Sequence, residues 1–465
     1  MPDGVWLTLV LFAAVLSGCG SLPNANRLTA SRILYRISPR FVGAQGPLTY
    51  QQGQRILAEL KRQQHVRTDM LGRHLAFEQA ISGSPLILGN KVTLLENGPA
   101  TFKAMLDAIN NAKHNINFET YIFSDDSIGQ RFADALIAAL GRGVIVNVIY
   151  DSAGSFFTAD AFFERLRSAG MRVVAFNPLS PISRQILLLK RGWSPEHRDH
   201  RKLLVVDGKV AFTGGINISN VYCKGICAGP LTPGKVLDYW RDTDVAIRGP
   251  AVASLQHLFF GSWRSQTPAP LPASDYFPPL FREGDDIARV IGSVPEQSSV
   301  LYVTLMSAIN NAETNIYITD AYFAPNHKMI KALERAARRG VDVRLLLPGR
   351  SDHPTVSAAS RSHYASLMNA GVKIYQWRGD MLHEKTATID RVWSTVGTSN
   401  LDWWSLARDN ELNVVVLSYA FASEMNVMYA NDLENSVRID PEKWRDRPWH
   451  ERIHEDAARL IQPLL

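Results

Sequence analysis

Two stretches of the chain carry the same order of apolar and polar positions. Residues 108–112 and 308–312 both read Ala-Ile-Asn-Asn-Ala, a spacing of 200 residues. Each copy closes a segment with the period of an amphipathic helix and runs into an apolar segment, Ile116 to Phe123 or Ile316 to Phe323, which predicts a buried strand. The chain is therefore expected to contain a duplicated unit.

The correspondence continues through a second helix and strand in each unit. Gly141-Arg142-Gly143-Val144 precedes an apolar segment that ends at Asp151, and Arg338-Arg339-Gly340-Val341 precedes one that ends at Pro348. Helices that alternate with largely buried strands are typical of the α/β class, in which helices cover both faces of a sheet. We expect two similar domains with α-β-α layers, at residues 91–265 and 286–465.

The segments outside the repeats have other patterns. Residues 266–285 form the expected linker, because Thr267 to Pro279 contains five prolines and no helical or strand period. Residues 19–90 are expected to form a linker and a helical arm, with Leu57, Leu60 and Val66 at helical spacing among charged residues. We expect this arm to pack on the first domain.

Composition agrees with a folded protein of more than one domain. The chain has 465 residues, of which 46% are hydrophobic and 20% charged, which excludes a disordered chain and exceeds one ordinary core. The net charge of +6 favours anionic partners, either lipid head groups or nucleic acid, without choosing between them.

A sparse motif, His-x-Lys followed by Asp after four more residues, occurs once in each unit. An Asn follows each His at the same distance of seventeen residues. Two matches with the same downstream spacing carry far more weight than one. The residues concerned are His200, Lys202, Asp207 and Asn217 in the first unit and His383, Lys385, Asp390 and Asn400 in the second.

These residue types suit chemistry at phosphorus. A neutral imidazole is a nucleophile, and a second, protonated imidazole can donate to a leaving oxygen. The stretches His200 to Val206 and His383 to Ile389 alternate like strands, which puts His and Lys on one face, where a phosphate oxygen could be surrounded. Since each unit supplies one His and one Lys, a complete site requires the units to face each other.

The doubled motif resembles the phospholipase D superfamily. The resemblance includes Gly214-Gly215-Ile216-Asn217 and Gly397-Thr398-Ser399-Asn400 after the two motifs. Within that superfamily, Glu119-Thr120-Tyr121-Ile122-Phe123, the run His-Arg-Asp-His-Arg-Lys at 197–202 and Trp240-Arg241-Asp242 are similar to bacterial cardiolipin synthases. The resemblance implies a duplicated phospholipase D fold, arranged as one pseudo-twofold bilobal unit, that works without a metal or another cofactor.

The resemblance also implies roles for individual residues. His200 would be the nucleophile and His383 the acid and base, although the symmetry of the sequence does not assign these roles. Lys202, Lys385, Asn217 and Asn400 would hold the non-bridging oxygens, and Asp207 and Asp390 would brace the site. Glu411 resembles the acid that orients a catalytic imidazole, and Asp242 would be its counterpart for His200. Glu119 is a candidate site residue, with a surface Glu as the alternative.

The implied function is phosphatidyl transfer onto a phosphatidylglycerol-like acceptor, which makes cardiolipin. A phospholipase D that hydrolyses phospholipids to phosphatidic acid would use the same residues, and a phosphodiesterase acting on nucleic acid is a third possibility. A membrane-tethered binding protein with an inactive site belongs to a different class. The expected partners are anionic membrane phospholipids and the membrane surface, and nucleic acid is not expected.

The N-terminus indicates export. Val5 to Leu16 is an apolar run too short to span a bilayer, and Leu16-Ser17-Gly18-Cys19 resembles the lipobox of bacterial lipoproteins. Residues 1–18 would be the signal peptide and Cys19 the lipidated residue. Gly20 then implies the outer membrane of a Gram-negative bacterium, on the periplasmic side. Residues 1–4 carry no Lys or Arg, which departs from the pattern of an export signal. An uncleaved membrane anchor and a buried N-terminal helix are the alternatives.

Two further features bear on this location. The segment from Arg184 to Trp193 has aliphatic residues between basic ones and suits a membrane interface, with a short buried element as the alternative. Cys223 and Cys227 are expected to close a small disulfide loop in an oxidising compartment, and two free thiols are the alternative. No metal site is predicted, because no cluster of Cys or His accompanies them.

Overall fold

The computed structural model describes residues 38–63, 70–179, 196–223, 239–295 and 300–462. Within these ranges the α-helices are α1 Tyr50–Arg62, α2 Leu75–Ser82, α3 Asn97–Asn111, α4 Ser127–Gly141, α5 Asp160–Ser168, α6 Ala251–Gln266, α7 Val300–Asn311, α8 His327–Arg338, α9 Pro354–Arg361, α10 Tyr364–Asn369, α11 Trp403–Ala407, α12 Tyr419–Glu434, α13 Pro441–Arg445 and α14 Trp449–Ile461.

The strands of the same ranges are β1 Phe41–Gly43, β2 Gly46–Pro47, β3 Leu86–Glu96, β4 Asn115–Thr120, β5 Ile145–Asp151, β6 Arg172–Phe176, β7 Leu203–Val206, β8 Val210–Gly214, β9 Thr243–Arg248, β10 Asp286–Ser293, β11 Asn315–Asp320, β12 Asp342–Pro348, β13 Lys373–Trp377, β14 Lys385–Ile389, β15 Trp393–Gly397, β16 Glu411–Leu417 and β17 Ser436–Arg438.

The two halves of the sheet have the same strand order. The first half runs β3-β9-β8-β7-β4-β5-β6 and the second β10-β16-β15-β14-β11-β12-β13, with β17 added at its edge. In each half the last three strands of the shared order are parallel and the others antiparallel. β3 also pairs antiparallel with β10, which joins the halves into one sheet. The duplicated α/β architecture is confirmed.

Hydrophobic packing divides the molecule into layers. One cluster of buried residues joins α3, α4 and α5 to the outer face of the first half, and another joins α7, α8 and α10 to the second. A third cluster lies between the halves and includes residues of α6 and α12 together with strands of both. Because this central core is shared, the halves are held together by burial as well as by the β3–β10 pairing.

The repeated turns explain the repeated sequence. Gly143 and Gly340 follow α4 and α8 with φ of 85° and 95°, in the left-handed region where only Gly is free of steric cost. The predicted strands after these glycines end at Asp151 and Pro348 as expected. The strands predicted to reach Phe123 and Phe323 end earlier, at Thr120 and Asp320, because the chain there turns toward the site described below.

The helical arm packs differently from the expectation. Leu57 and Leu60 of α1 and Leu75 of α2 belong to the cluster of the second half. Arg289 of β10 donates to Glu78 at 2.6 Å, and both side chains are fully buried. The expected packing on the first half is therefore wrong, since apolar residues at helical spacing show which face of a helix is buried but not which part of the protein covers it. Val66 lies outside the described residues.

The Pro-rich segment is a packed connection. Between Gln266 and Asp286 the chain has no helix or strand, but Asn115 donates to Ser274 Oγ and to Asp275 O at 3.0 Å each. Across the described ranges, every helix is too short or too polar to cross a membrane. The predicted signal peptide, Cys19 and the segment from Arg184 to Trp193 lie outside the described residues.

Candidate active site

One pocket of about 460 Å³ lies between the halves and takes residues from both. Its walls include His200 and Asn217 of the first half and His383 and Asn400 of the second. Both imidazoles are buried, at 9% and 3% exposure. The duplicated motifs therefore meet in one pocket, at the carboxyl ends of β4 and β11.

Backbone pairing between the halves brings the histidines there. The backbone N–H of His200 donates to Asn410 O at 3.0 Å, and that of His383 donates to Arg241 O at 2.7 Å. The strands predicted to begin at the two histidines begin later, at Leu203 and Lys385. Each histidine backbone pairs with the opposite half, so it is not part of its own sheet.

The carboxylates that orient the imidazoles are exchanged between the halves. Glu411 Oε1 of the second half lies 3.0 Å from Nδ1 of His200. Asp242 Oδ2 of the first half lies 2.7 Å from Nδ1 of His383. The sequence interpretation paired Asp242 with His200, and the structure pairs it with His383 instead. The reason is the backbone pairing above, since each carboxylate directly follows the residue that accepts the histidine N–H.

The two carboxylates differ in their charge state. Burial opposes the ionisation of Glu411, but the adjoining His200, Lys202 and the hydroxyl of Thr398 together lower its pKa below the ordinary value. Burial raises the pKa of Asp242 to about 7, although Lys385 and the N–H of Thr243 act in the opposite direction. At neutral pH Glu411 is ionised, whereas Asp242 is partly protonated.

Burial opposes the protonation of both imidazoles. Burial lowers the pKa of His200, and Glu411 partly offsets this effect. The pKa of His383 lies well below its ordinary value because of burial and of the charges of Lys385 and Lys202. Since Nδ1 of each ring contacts a carboxylate, Nε2 of each ring is the atom available for chemistry.

The two lysines lie beneath the pocket. Lys202 Nζ donates to His200 O at 2.7 Å, and Lys385 Nζ donates to His383 O. Each ammonium also faces a tyrosine ring of the pocket wall, 5.1 Å from Tyr121 and 5.8 Å from Tyr322. Burial lowers the pKa of Lys202 to about 7 and also lowers that of Lys385. The lysines therefore place positive charge beneath the histidines, and because their pKa values are lowered this charge depends on pH.

The two asparagines line the pocket, but their amides also have structural partners. Asn217 Oδ1 accepts from Ile122 N at 3.1 Å, and its Nδ2 donates to Tyr222 at 3.0 Å. Asn400 Nδ2 donates to Ser405 at 3.3 Å, and its buried Oδ1 has no hydrogen-bond partner among the described residues. Both amide nitrogens, which were predicted to hold phosphate oxygens, are thus engaged within the protein.

The motif aspartates lie at the opposite ends of their strands from the pocket. Asp207 accepts from the backbone N–H groups of Lys113, His114 and Asn115 at 2.7–3.0 Å. Asp390 does the same for residues 313–315. With φ of 53° and 51°, both occupy the left-handed turn that follows β7 or β14. Their position is that of braces, remote from the reacting atoms.

Glu119 is buried beneath the first motif and does not line the pocket. Its Oε1 accepts from Ser262 at 2.6 Å and lies 3.9 Å from the guanidinium of Arg201. Burial raises the pKa of Glu119, and that of neighbouring Asp199 even more. The alternative of a surface Glu is wrong, because the side chain is fully buried.

Aromatic residues that sequence reasoning left without a role complete the walls. The hydroxyl of Tyr222 lies 3.3 Å from Nδ1 of His383, and the ring of Trp240 lies 4.9 Å from the same imidazole. The ring of Tyr121 meets His200 edge-on at 4.9 Å. Trp240 and Tyr121 belong to the motifs quoted above, whereas no sequence signal marks Tyr222.

Cys223 follows Tyr222 at the end of this wall and is disulfide-bonded. The other two cysteines of the chain, Cys19 and Cys227, lie outside the described residues. The pairing of Cys223 with Cys227 therefore stays a prediction.

Comparison with known sequences finds one family. A family model described as "Cardiolipin synthase, PLD-like domain" matches residues 105–224 and 305–433. The chain is 35% identical over 397 residues to a cardiolipin synthase of Geobacillus thermodenitrificans, covering 84% of this chain and 75% of that protein. It is 36% identical over 386 residues to cardiolipin synthase A of Pseudomonas aeruginosa, covering 82% and 75%.

Comparison with solved structures supports the fold. The phosphatidylserine synthase of Haemophilus influenzae Rd KW20 superimposes with a TM-score of 0.58 at 11% sequence identity. The match covers 83% of this chain and 99% of that one, so both halves of the duplicated fold are shared.

Proposed function

The chain belongs to the family of cardiolipin synthases built from phospholipase D-like domains, and from this premise we propose that it joins two phosphatidylglycerol-type lipids into cardiolipin through a phosphohistidine intermediate. The observation that carries the proposal is the single pocket in which His200 and His383 each contact a carboxylate of the opposite half. A pair of oriented imidazoles supplies both nucleophilic and acid-base catalysis.

In the proposed first step, Nε2 of His200 forms a bond to the phosphorus of one lipid. The bond from phosphorus to the glycerol head group breaks, and the departing oxygen takes a proton from Nε2 of His383. Glycerol leaves and the phosphatidyl group stays on His200. Glu411 supports this role, because an ionised carboxylate at Nδ1 stabilises the positive charge that the ring acquires.

His383 must be protonated to act as the acid, and bound substrate favours this protonation. Burial lowers the pKa of His383, and the charges of Lys385 and Lys202 lower it further. An anionic phosphodiester bound above the two ammonium groups offsets their charge, so the pKa of His383 rises when the site is filled. The lysines themselves stabilise the negative oxygens of phosphorus in the transition state.

In the second step, a hydroxyl of the second lipid's glycerol gives its proton to His383 and bonds to phosphorus. The bond from phosphorus to His200 breaks, and its electron pair returns to the ring. Two phosphatidylglycerol molecules thus become cardiolipin and glycerol. The scheme needs no metal.

The reaction products test the function. Purified chain is incubated with phosphatidylglycerol vesicles, and the lipids and released glycerol are separated. Cardiolipin with glycerol is the expected result, phosphatidic acid would assign a hydrolase instead, and cleavage of nucleic acid without lipid turnover would assign a phosphodiesterase. A wild-type protein that turns over none of these substrates would leave only a binding role.

A trapping experiment tests the two histidine roles. His383→Ala removes the acid that protonates glycerol, so we expect a lipid with a better leaving group, such as phosphatidyl-p-nitrophenol, to form a stable phosphatidyl adduct on His200. Peptide mass spectrometry locates the adduct. His200→Ala is the matched control and should form none. An adduct on His383 in the control protein would reverse the assignment.

We also propose that the mature chain is a lipoprotein attached through Cys19 to the periplasmic side of the outer membrane. The support is the lipobox-like sequence ending at Cys19 and the disulfide at Cys223, which is typical of an oxidising compartment. Labelled palmitate should enter the wild-type chain and not Cys19→Ser. Equal labelling of both proteins would refute the anchor.

A further inference from the structure

Two exposed apolar patches border the candidate active site, and they come from different halves. The first consists of Phe156, Phe157 and Leu179 in the first half, and Phe157 is 98% exposed. The second consists of Trp449, Leu460 and their neighbours on α14, and Leu460 is 82% exposed. Large side chains exposed in this way are a sign of an interaction surface.

The phenylalanine loop is fixed to the wall of the pocket. It follows β5, and Ser155 within it donates to Tyr121 O at 3.1 Å and accepts from Phe123 N at 3.0 Å. Thr158 at its other end donates to Phe123 O at 2.6 Å. Tyr121 lines the pocket. Hydrogen bonds therefore hold the loop beside the site while its two phenylalanine rings are exposed to solvent. Their exposure is not the result of a loosely held loop.

Leu179 belongs to the same patch because of the sheet. β6 lies parallel to β5, with Phe176 opposite Asp151, so the residues after both strands emerge at one edge. Ser152 Oγ donates to Asn177 O at 2.5 Å and ties the two loops together. Leu179 thus emerges at the same carboxyl edge of the first half as the phenylalanine loop.

The second patch lies at the corresponding edge of the second half. Gln462 directly after α14 donates to Ala324 O and Pro325 O at 2.8 and 2.6 Å, two and three residues after Tyr322 of the pocket wall. Glu455 fixes the inner face of the helix through Arg361 at 3.0 Å.

The outer face of α14 carries three large apolar side chains, and Asp456 between the second and third is paired with Arg459 at 3.3 Å. Trp449, Ile453 and Leu460 fall on one stripe at the helical period, and all three are exposed. A helix with a Trp, an apolar stripe and flanking arginines, here Arg452 and Arg459, is typical of helices that lie in a membrane interface.

We propose that these two patches form one membrane-docking face, which inserts Phe156, Phe157 and the α14 stripe into the boundary between head groups and acyl chains of a phospholipid bilayer. Each patch adjoins a segment of the pocket wall, that of Tyr121 in the first half and that of Tyr322 in the second, so docking would place the pocket near the bilayer surface, where a lipid could enter without crossing water. The proposal rests on the proposed function for the identity of the substrate and on the exposed side chains for the surface.

Phe281 offers a matched control at the other end of the molecule. It is 72% exposed and precedes β10, whose Ile287 pairs with Leu417 at the end of β16 remote from Glu411. A side chain as apolar and as exposed as those of the first patch therefore lies on the edge away from the pocket.

The kinetic test compares two forms of one substrate. The double variants Phe156→Ser with Phe157→Ser and Ile453→Ser with Leu460→Ser are expected to lose about tenfold or more in kcat/KM on phosphatidylglycerol vesicles. All should act like wild type on short-chain phosphatidylglycerol below its critical micelle concentration, and Phe281→Ser should match wild type on both. Unchanged vesicle kinetics in both double variants, or equal losses on both substrates, would overturn the proposal.

Hydrogen exchange of the full chain gives a readout independent of turnover. Phosphatidylglycerol vesicles should slow exchange in peptides covering 152–159 and 449–461 and leave those covering 274–284 unchanged. Absence of protection overturns the docking face even if turnover is normal. Protection without lipid turnover supports the face and refutes the proposed function. Protection that grows with protein concentration without lipid would assign the face to a second copy of the chain and overturn membrane docking.

Discussion

Glu411→Gln is the sharpest test of the exchanged carboxylates. The substitution keeps the size of the side chain and a contact to Nδ1 of His200, but removes the charge that lies 3.0 Å away. The single amide oxygen can accept from Nδ1 of His200, and the amide nitrogen then donates to Thr398 Oγ1, so the fold should be retained. What is lost is the stabilisation of positive charge on the ring.

The size of the loss follows from the type of interaction. A buried hydrogen bond to a charged group contributes about 1.5–3 kcal/mol, which corresponds to roughly a 10- to 150-fold loss in kcat/KM. The pKa of Glu411 is lowered from its ordinary value, so the carboxylate is ionised throughout the neutral range. The ratio of wild-type to variant kcat/KM should therefore stay constant across that range.

Asp242→Asn is the contrasting variant, because the pKa of Asp242 is about 7. Below that pH most wild-type molecules already carry a neutral Asp242, and above it most carry a charged one. The loss caused by Asn should thus grow as the pH rises from about 6 to 8, since kcat/KM reports ionisations of the free enzyme.

The assay is glycerol release from phosphatidylglycerol in mixed micelles, with thermal unfolding as a check on folding. A folded Glu411→Gln protein that keeps kcat/KM within about twofold of wild type would refute the catalytic importance of the charge. Identical pH profiles for the two variants would refute the difference in charge state between the two carboxylates.

Three further predictions follow from other contacts. Because burial lowers the pKa of Lys202 to about 7, kcat/KM should fall as the pH rises through that value, and Lys202→Arg should move this alkaline limb upward whatever its overall rate; an unmoved limb would contradict the assignment. Asp207→Ala leaves three backbone N–H groups without their acceptor, which costs about 1–3 kcal/mol for each donor that stays buried, so the unfolding temperature should fall while kcat/KM at low temperature stays nearly unchanged. A Cβ on Gly215 would lie 2.2 Å from Asp242 Oδ1, so Gly215→Ala should lower kcat/KM about a hundredfold, whereas Gly261→Ala, with open space around it, should have no effect on activity.

Much of the architecture could be predicted because the chain contains it twice. The repeated Ala-Ile-Asn-Asn-Ala and the glycines at 143 and 340 mark equivalent turns, and the two motifs predict a shared site. The packing of the arm could not be predicted in this way. Leu57 and Leu60 show that one face of α1 is buried, but the partner of that face is set by tertiary structure alone.

The pairing of the carboxylates shows the same limit. Glu411 begins β16, and Asp242 directly precedes β9, the equivalent strand of the first half. The sequence could therefore indicate that each carboxylate orients an imidazole. Which imidazole each one contacts depends on the pairing of Asn410 with His200 and of Arg241 with His383. Such pairing between distant segments leaves no periodic signal. Tyr222 was missed for a related reason, because it reaches His383 from a segment without any motif.

The exchange of carboxylates between the halves makes each half depend on the other for activity. A polypeptide cut within residues 267–285 should yield two fragments that are each inactive and that recover turnover only when combined. The reason is that each catalytic imidazole contacts a carboxylate of the other fragment. A substitution of the carboxylate in one fragment then impairs the histidine of the other. Substitutions at the sites of the two halves are therefore functionally coupled, even where the surfaces of the halves differ.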